Sequence, residues 1–268
     1  MTEKRFEFGE NWKRFLDTVN EHRIETAENS LNEKLGDANL DSKSFLDAGC
    51  GSGLFSLAAR RLGAQVHSFD IDQEAIACAA ELKNRYFPND PNWRIEQGSV
   101  LDTDYLRSLG SFDVVYSWGV LHHTGAMWEA LENILMPVNQ GGHLFISIYN
   151  DQGYISQRWL KIKQLYVYLP PWLRAPVVWG SFLRIWGYQL FRDIVRGRGL
   201  STWRSYSQDR GMSPWHDLVD WVGGYPFEVA KPEEIFNFYK RRGYALLRLK
   251  TCGGGRGCNE FVFKKSTA

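Results

Sequence analysis

The chain has 268 residues, 32 Lys/Arg against 31 Asp/Glu, and 44% hydrophobic residues, the balance of a folded globular protein with room for a sizeable core. No run of 18 clean apolar residues is present, which excludes a membrane-spanning helix, and four scattered cysteines exclude a disulfide framework. The net charge of +1 argues neither for nor against nucleic acid, and charges interrupting Met1 to Arg23 leave no signal-peptide pattern, so a cytoplasmic protein is expected.

In chain order, residues 1–43 read as a polar helical cap with an apolar side of Phe6, Phe8, Trp12, Phe15 and Leu16. From Ser44 the pattern alternates between strand and helix. Strand 44–48 leads to helix 53–62, strand 65–70 to helix 73–86, and strand 93–97 to a short helix near 103–109. Strand 112–117 precedes helix 126–137, and strand 142–149 carries the β-rich run Leu144 to Tyr149. Such alternation predicts an α/β fold: a mostly parallel sheet with helices on both faces and ligands at the carboxyl ends of the strands.

Residues 151–228 break this rhythm. They hold seven of the eleven tryptophans, and 151–210 carry ten Lys/Arg against three Asp/Glu. Trp179, Phe182, Leu183, Trp186, Leu190 and Ile194 fall on one helical stripe, with Arg184, Arg192, Arg196 and Arg198 largely off it. A lid walling an acceptor pocket is the leading reading of this helical insertion. A peripheral membrane surface is the second, and a homo-oligomer interface the third. Helix 232–241 and strands 244–250 and 260–264 close the chain. The core is thus expected over 44–150 and 229–268.

The decisive segment is Phe45-Leu46-Asp47-Ala48-Gly49-Cys50-Gly51-Ser52-Gly53-Leu54-Phe55, a buried strand running into a glycine turn and a helix. So bare a backbone can lie directly against a ligand, beneath the positive end of the following helix. Asp70, ending the next strand, is placed to accept both hydroxyls of a ribose. A dinucleotide fingerprint needs its third glycine at position 54, where this chain has Leu54. Asp47-x-Gly49-x-Gly51-x-Gly53 instead resembles motif I of the class I S-adenosylmethionine-dependent methyltransferases.

The resemblance continues in order over residues 40–150 and the closing strands. Asp70 matches the ribose-binding acid and Ile71 the apolar residue beside the adenine. Gly98-Ser99-Val100 matches the adenine-edge loop. Phe112 to His123, including Ser117, Trp118 and the Leu121-His122-His123 form, is similar to the branch of the ubiquinone, menaquinone and small-molecule methyltransferases. The resemblance implies a Rossmann-like sheet with an antiparallel last strand and S-adenosylmethionine as cofactor. The implied cofactor contacts are Asp47, Gly49, Gly51, Ser52, Gly53, Asp70, Ile71, Ser99, Val100, Ser117 and Trp118. Trp12 either stacks over the pocket or packs its helix onto the body.

Methyl transfer needs alignment, a dry site and a deprotonated or lone-pair nucleophile, with a base where the nucleophile holds its proton at neutral pH. His122 and His123, after the fourth strand, and Tyr149, ending the fifth, are the candidate catalytic groups. Asn150 and the cluster Trp215-His216-Asp217 are candidate acceptor contacts. His67 and His143 read as structural, His22 as surface, and Asp113 as a turn residue far from the carboxyl ends. Cys252 and Cys258 are spaced wrongly for a zinc knuckle, and no metal is expected. O-methylation of a small hydroxylated acceptor leads. S-methylation of a small thiol or sulfide follows, then C-methylation of a quinol or a non-catalytic cofactor-binding regulator. Nucleic acid is not expected, because the basic stretch is interleaved with apolar residues and no Asn-Pro-Pro-Tyr-type motif follows the fourth strand.

Overall fold

The computed structural model describes residues 16, 19–36, 39–198, 203 and 214–267, except for the side chains at 214, 216 and 217. Trp12, Phe6, Phe8 and Phe15 lie outside the described residues. Two compact units emerge, one over 8–152 with 228–268 and the other over 153–227.

The larger unit begins with helix α1 (Glu21–Leu35), capped by the Asn20 side chain on the Arg23 amide. Then follow β1 (Ser44–Ala48), α2 (Leu54–Arg61), β2 (Gln65–Asp70), α3 (Gln73–Tyr86) and β3 (Trp93–Gln97). Next come α4 (Thr103–Ser108), β4 (Phe112–Trp118), a 3-10 turn over Leu121–His123, α5 (Met127–Asn133) and β5 (Val138–Tyr149). After the smaller unit, α9 (Pro232–Lys240), β6 (Tyr244–Lys250) and β7 (Cys258–Lys265) complete it.

The seven strands run in the order β3-β2-β1-β4-β5-β7-β6. The β1–β2, β1–β4, β2–β3 and β4–β5 pairs are parallel, and β7 is antiparallel to both β5 and β6. Order reverses between β1 and β4, which places a ligand crevice at the carboxyl ends of those strands.

Alternation builds the two cores. Leu46, Ala48, Val115, Leu144, Ile146 and Ile148 point into one cluster, while Phe45, Val114, Tyr116 and Phe145 point into the other. The second cluster also takes Ile24, Ala27, Leu31 and Leu35, so α1 is built into the body of the sheet unit. Asp113 accepts from the amide and hydroxyl of Ser44 at 3.0 and 2.9 Å, clamping β4 to β1 at the end opposite the crevice. Helix α5 stops at Asn133, short of the expected 137. Pro137 lacks an amide, and the chain turns through Leu135 and Met136, whose amides bond to Glu132 and Asn133. β5 consequently starts at Val138, before the expected 142.

The smaller unit is helical: α6 (Tyr154–Tyr168), α7 (Pro171–Val195) and α8 (Pro214–Gly223). Lys163 is fully buried within it. Its ammonium donates to the Trp221 carbonyl and lies 4.3 Å from the Trp221 ring centre and 4.7 Å from that of Phe227, so aromatic faces offset part of its lost hydration. Helix α7 is longer than the stripe read from sequence, and the stripe divides. Trp186 is buried, whereas Trp179, Leu183 and Ile194 are exposed.

Candidate active site

The glycine turn is fixed by the end of β2. The Gly49 and Cys50 amides both donate to the Phe69 carbonyl, at 2.8 and 3.0 Å. Gly49 adopts φ +81°, and a Cβ there would meet Val120 at 2.4–2.9 Å. Only glycine fits both conditions. Gly51, at φ +53°, donates its amide to Asp70 Oδ2 at 2.9 Å. Ser52 is buried beside it. Gly53 caps α2 at φ +80°, and its missing Cβ makes room for Ala79 of α3 at 2.9 Å, so helix packing accounts for this glycine.

Two carboxylates stand under the turn. Asp70 accepts from Gly51 and, through Oδ1, from the Asp72 amide at 3.0 Å. Each carboxylate oxygen retains a further lone pair for a ligand hydroxyl. Burial raises its pKa, and the two backbone bonds oppose that rise. Asp47 is buried more deeply and accepts from Ser56 Oγ at 2.5 Å. The contact continues as a buried polar chain: Ser68 donates to Ser56 at 2.8 Å, and the Trp93 indole donates to Ser68 at 2.9 Å. Burial lifts the Asp47 pKa to about 7, against the Ser56 bond and with a small push from the Asp70 charge.

The Asp47 shift fixes a pH dependence. Between the ordinary aspartate value near 4 and about 7, the folded protein holds a proton that the unfolded chain has released. Ligand-free stability therefore falls as pH rises through that window and levels off above it. Asp47→Asn is expected to remove a few kcal/mol of this slope. Melting temperatures recorded from pH 4 to 8 for both proteins check it, and parallel curves would contradict the assignment.

At the adenine-edge positions, Ile71 is exposed, and its carbonyl accepts from Gln97 at 3.0 Å. Gly98 donates to the Asp70 carbonyl at 2.9 Å, and a Cβ there would meet the Tyr105 ring at 2.3 Å. Ser99 Oγ accepts from the Leu101 amide at 3.2 Å. Val100 is buried in the core, its carbonyl held by Asn133 at 3.2 Å. Ile71 and the 98–100 loop thus flank Asp70 from β2 and β3.

Beyond β4 the chain brings the three candidate catalytic groups together. The His122 and Tyr149 ring centres are 4.0 Å apart, His122 and His123 4.5 Å, and His123 and Tyr149 5.3 Å. His122 is fully buried and His123 only partly so. Glu228 holds this corner: its amide donates to the His122 carbonyl at 3.0 Å, and its carboxylate accepts the Met127 amide at 3.0 and 3.1 Å, at the positive end of α5. Ser117 spends its hydroxyl on the Ala48 carbonyl at 2.9 Å, tying β4 to the glycine turn. The Trp118 indole donates to Glu260 at 3.1 Å, and Glu260 also pairs with Lys34 at 2.8 Å.

The other sequence-derived candidates have contacts of their own. Asn150 donates to the Gly255 carbonyl at 3.2 Å and accepts from Asn259 at 3.0 Å, fastening the β6–β7 loop. Cys252 donates its thiol to the Gly255 carbonyl within that loop. Trp215 belongs to α8 in the smaller unit, its ring 5.2 Å from that of Trp179. The side chains of His216 and Asp217 lie outside the described residues. Among the described residues, no group of three or more His, Cys, Asp or Glu is arranged for a metal ion. Sequence reasoning missed Ser56, Ser68, Trp93, Val120, Tyr105 and Glu228. Only Ser56 carries a local signal, a lone hydroxyl on the sheet-facing side of α2.

Residues 19–216 match the family model described as a methyltransferase domain. The chain belongs to the class I S-adenosylmethionine-dependent methyltransferase family. A ubiquinone biosynthesis O-methyltransferase of Cupriavidus pinatubonensis is 31% identical to this methyltransferase over 122 residues, 43% of this chain and 45% of that protein. A ribosomal protein L11 methyltransferase of Helicobacter hepaticus is 50% identical over 44 residues, 16% of this chain and 14% of that one. The matches thus span less than half of these relatives' length. In fold, the methyltransferase is similar to magnesium protoporphyrin IX methyltransferase from Synechocystis PCC 6803 with bound SAH, at TM-score 0.56 and 15% identity, over 96% of this chain and 94% of that one. The family's cofactor is S-adenosylmethionine, and the residues present fit it. Asp70 is held by two amides with lone pairs to spare, beside the side-chain-free Gly51.

Proposed function

We propose that this methyltransferase methylates a small-molecule acceptor, with a hydroxyl oxygen as the receiving atom. The carrying observation is the His122–His123–Tyr149 cluster at the carboxyl ends of β4 and β5, one strand over from the glycine turn. The ubiquinone biosynthesis O-methyltransferases among its relatives support oxygen as that atom. S-Adenosylmethionine, when bound, supplies an electrophilic methyl group on a sulfonium. Asp70 and the turn from Gly49 to Gly51 would hold its sugar and orient it. Asp47, buried below the turn and bonded to Ser56, would support the cradle from beneath.

A hydroxyl keeps its proton at neutral pH, so oxygen attack needs a base within reach. His123 is the partly exposed member of the pair and takes that proton. His122, buried between His123 and Tyr149, fixes the ring stack and so the direction of His123. Glu228 sets the backbone of the whole turn.

Incubation with labelled S-adenosylmethionine and a panel of phenols, catechols, thiols and quinols tests the reading. Label in a methyl ether supports it. Label only in a thioether or on ring carbon moves the acceptor to sulfur or carbon, and no label in any product returns a non-catalytic binder. His123→Ala is expected to lower kcat on a phenol by about a hundredfold or more, while cofactor affinity stays within about twofold. Full turnover in that variant and in His122→Ala would remove the base from this turn.

A further inference from the structure

We propose that the outward face of α7 is a docking surface for an anionic lipid bilayer, with the helix lying in the plane of the interface. Helix α7 is apolar on two sides. The face of α7 turned inward within its unit carries Ser181 and Asp193, at 5% and 3% exposure, beside Val178 and Trp186. The outward face carries Trp172, Trp179, Leu183 and Ile194, spaced seven, four and eleven residues apart, with Phe191 and Tyr188 alongside. Trp172, Leu183 and Phe191 are 75%, 65% and 66% exposed. A helix in water places its apolar stripe inward. Here exposed apolar side chains recur along more than six turns, Trp179 also touching Trp215, which marks an interaction surface.

The occupant follows from the residue types and the charge. Trp and Tyr, apolar bodies with polar tips, suit the headgroup boundary. Arg184 lies beside Leu183 on the exposed side, and Arg196 and Arg198 follow directly on the helix end. These are cations at the edge of an apolar ridge, complementary to anionic headgroups. The one acidic residue of the helix, Asp193, is buried away from that edge. Among the described residues, no helix is long and apolar enough to cross a membrane, so the contact is of the kind that lies on a bilayer. This inference is independent of the acceptor reading above.

Flotation of the full chain with phosphatidylcholine vesicles, with and without phosphatidylglycerol, tests it. The expected result is binding to the phosphatidylglycerol vesicles at low salt, weakened by added salt and absent on phosphatidylcholine alone. Leu183→Ser with Phe191→Ser is expected to weaken binding roughly a hundredfold. Arg196→Gln with Arg198→Gln, changes at exposed positions, is expected to weaken it about tenfold. Both variants are to keep wild-type circular dichroism and S-adenosylmethionine affinity. Absence of binding to anionic vesicles at low salt overturns the proposal, and so does binding that neither variant weakens. A concentration-dependent dimer by sedimentation velocity, lost in the Leu183/Phe191 variant without vesicle recruitment, overturns it in favour of a second copy of this chain.

Discussion

Asp70→Ala is expected to weaken S-adenosylmethionine binding by two to four orders of magnitude, roughly the loss of two charge-assisted hydrogen bonds. The carboxylate has two tasks. Towards the protein it accepts the Gly51 and Asp72 amides, which holds the glycine turn against the end of β2. Towards the proposed cofactor its remaining lone pairs are placed to accept the ribose hydroxyls. Alanine removes both tasks at once. Asp70→Asn keeps one carboxylate-like oxygen and should fall between. The melting temperature is expected to change little, because burial of this carboxylate raises its pKa and makes the charged form costly to keep. Titration calorimetry and thermal melts together decide it. Unchanged affinity in the alanine variant would detach Asp70 from the sugar. A collapsed melting temperature would assign it to folding instead.

Gly49→Ala carries the second large effect, and a different signature. The left-handed φ costs an ordinary residue about 1–2 kcal/mol. The added methyl also strikes Val120 at its two Cγ atoms and Cβ. We expect a loss of several kcal/mol in stability, alongside cofactor binding too weak to measure. Val120 stands directly before the histidine turn, so any escape of Val120 drags His122 and His123 with it. Combining Gly49→Ala with Val120→Gly should recover part of the stability, leaving the backbone cost. Denaturant melts of the two single variants and the double variant measure the coupling. Strict additivity would show that Val120 yields freely, and would undo the argument that the cradle and the histidine turn are one packed piece.

These two positions were legible in the sequence because their signals are local. Gly49 and Gly51 interrupt a strand and a helix at fixed spacing, and Asp70 ends the next apolar run. The alternation of β1 to β5 was equally plain, since Phe45, Leu46, Val115, Phe145 and Ile146 must each face one of two cores. What the sequence hid is pairing over distance. Nothing near Asp47 announces that Ser56, Ser68 and Trp93 line up behind it, from a helix and two other strands. Glu228 lies over a hundred residues from the Met127 amide that it accepts. The stripe on α7 shows the converse limit. Spacing finds the apolar face of a helix but not whether that face turns in or out, and Trp186 and Leu183 went opposite ways.

The bonds at the root of the smaller unit have a consequence for changes made to it. Where the main sheet releases the chain, Asp151 donates to the Ala230 carbonyl at 3.1 Å and Ala230 donates to that of Tyr149 at 3.0 Å. Departure and return are thus soldered into a single joint, with Asn150 and Ala230 bridged side by side. Whatever hangs from that joint adds little loop-closure strain to the strands, because its two ends already meet. Lengthening, shortening or exchanging the appendage is then expected to leave the sheet and the glycine turn undisturbed.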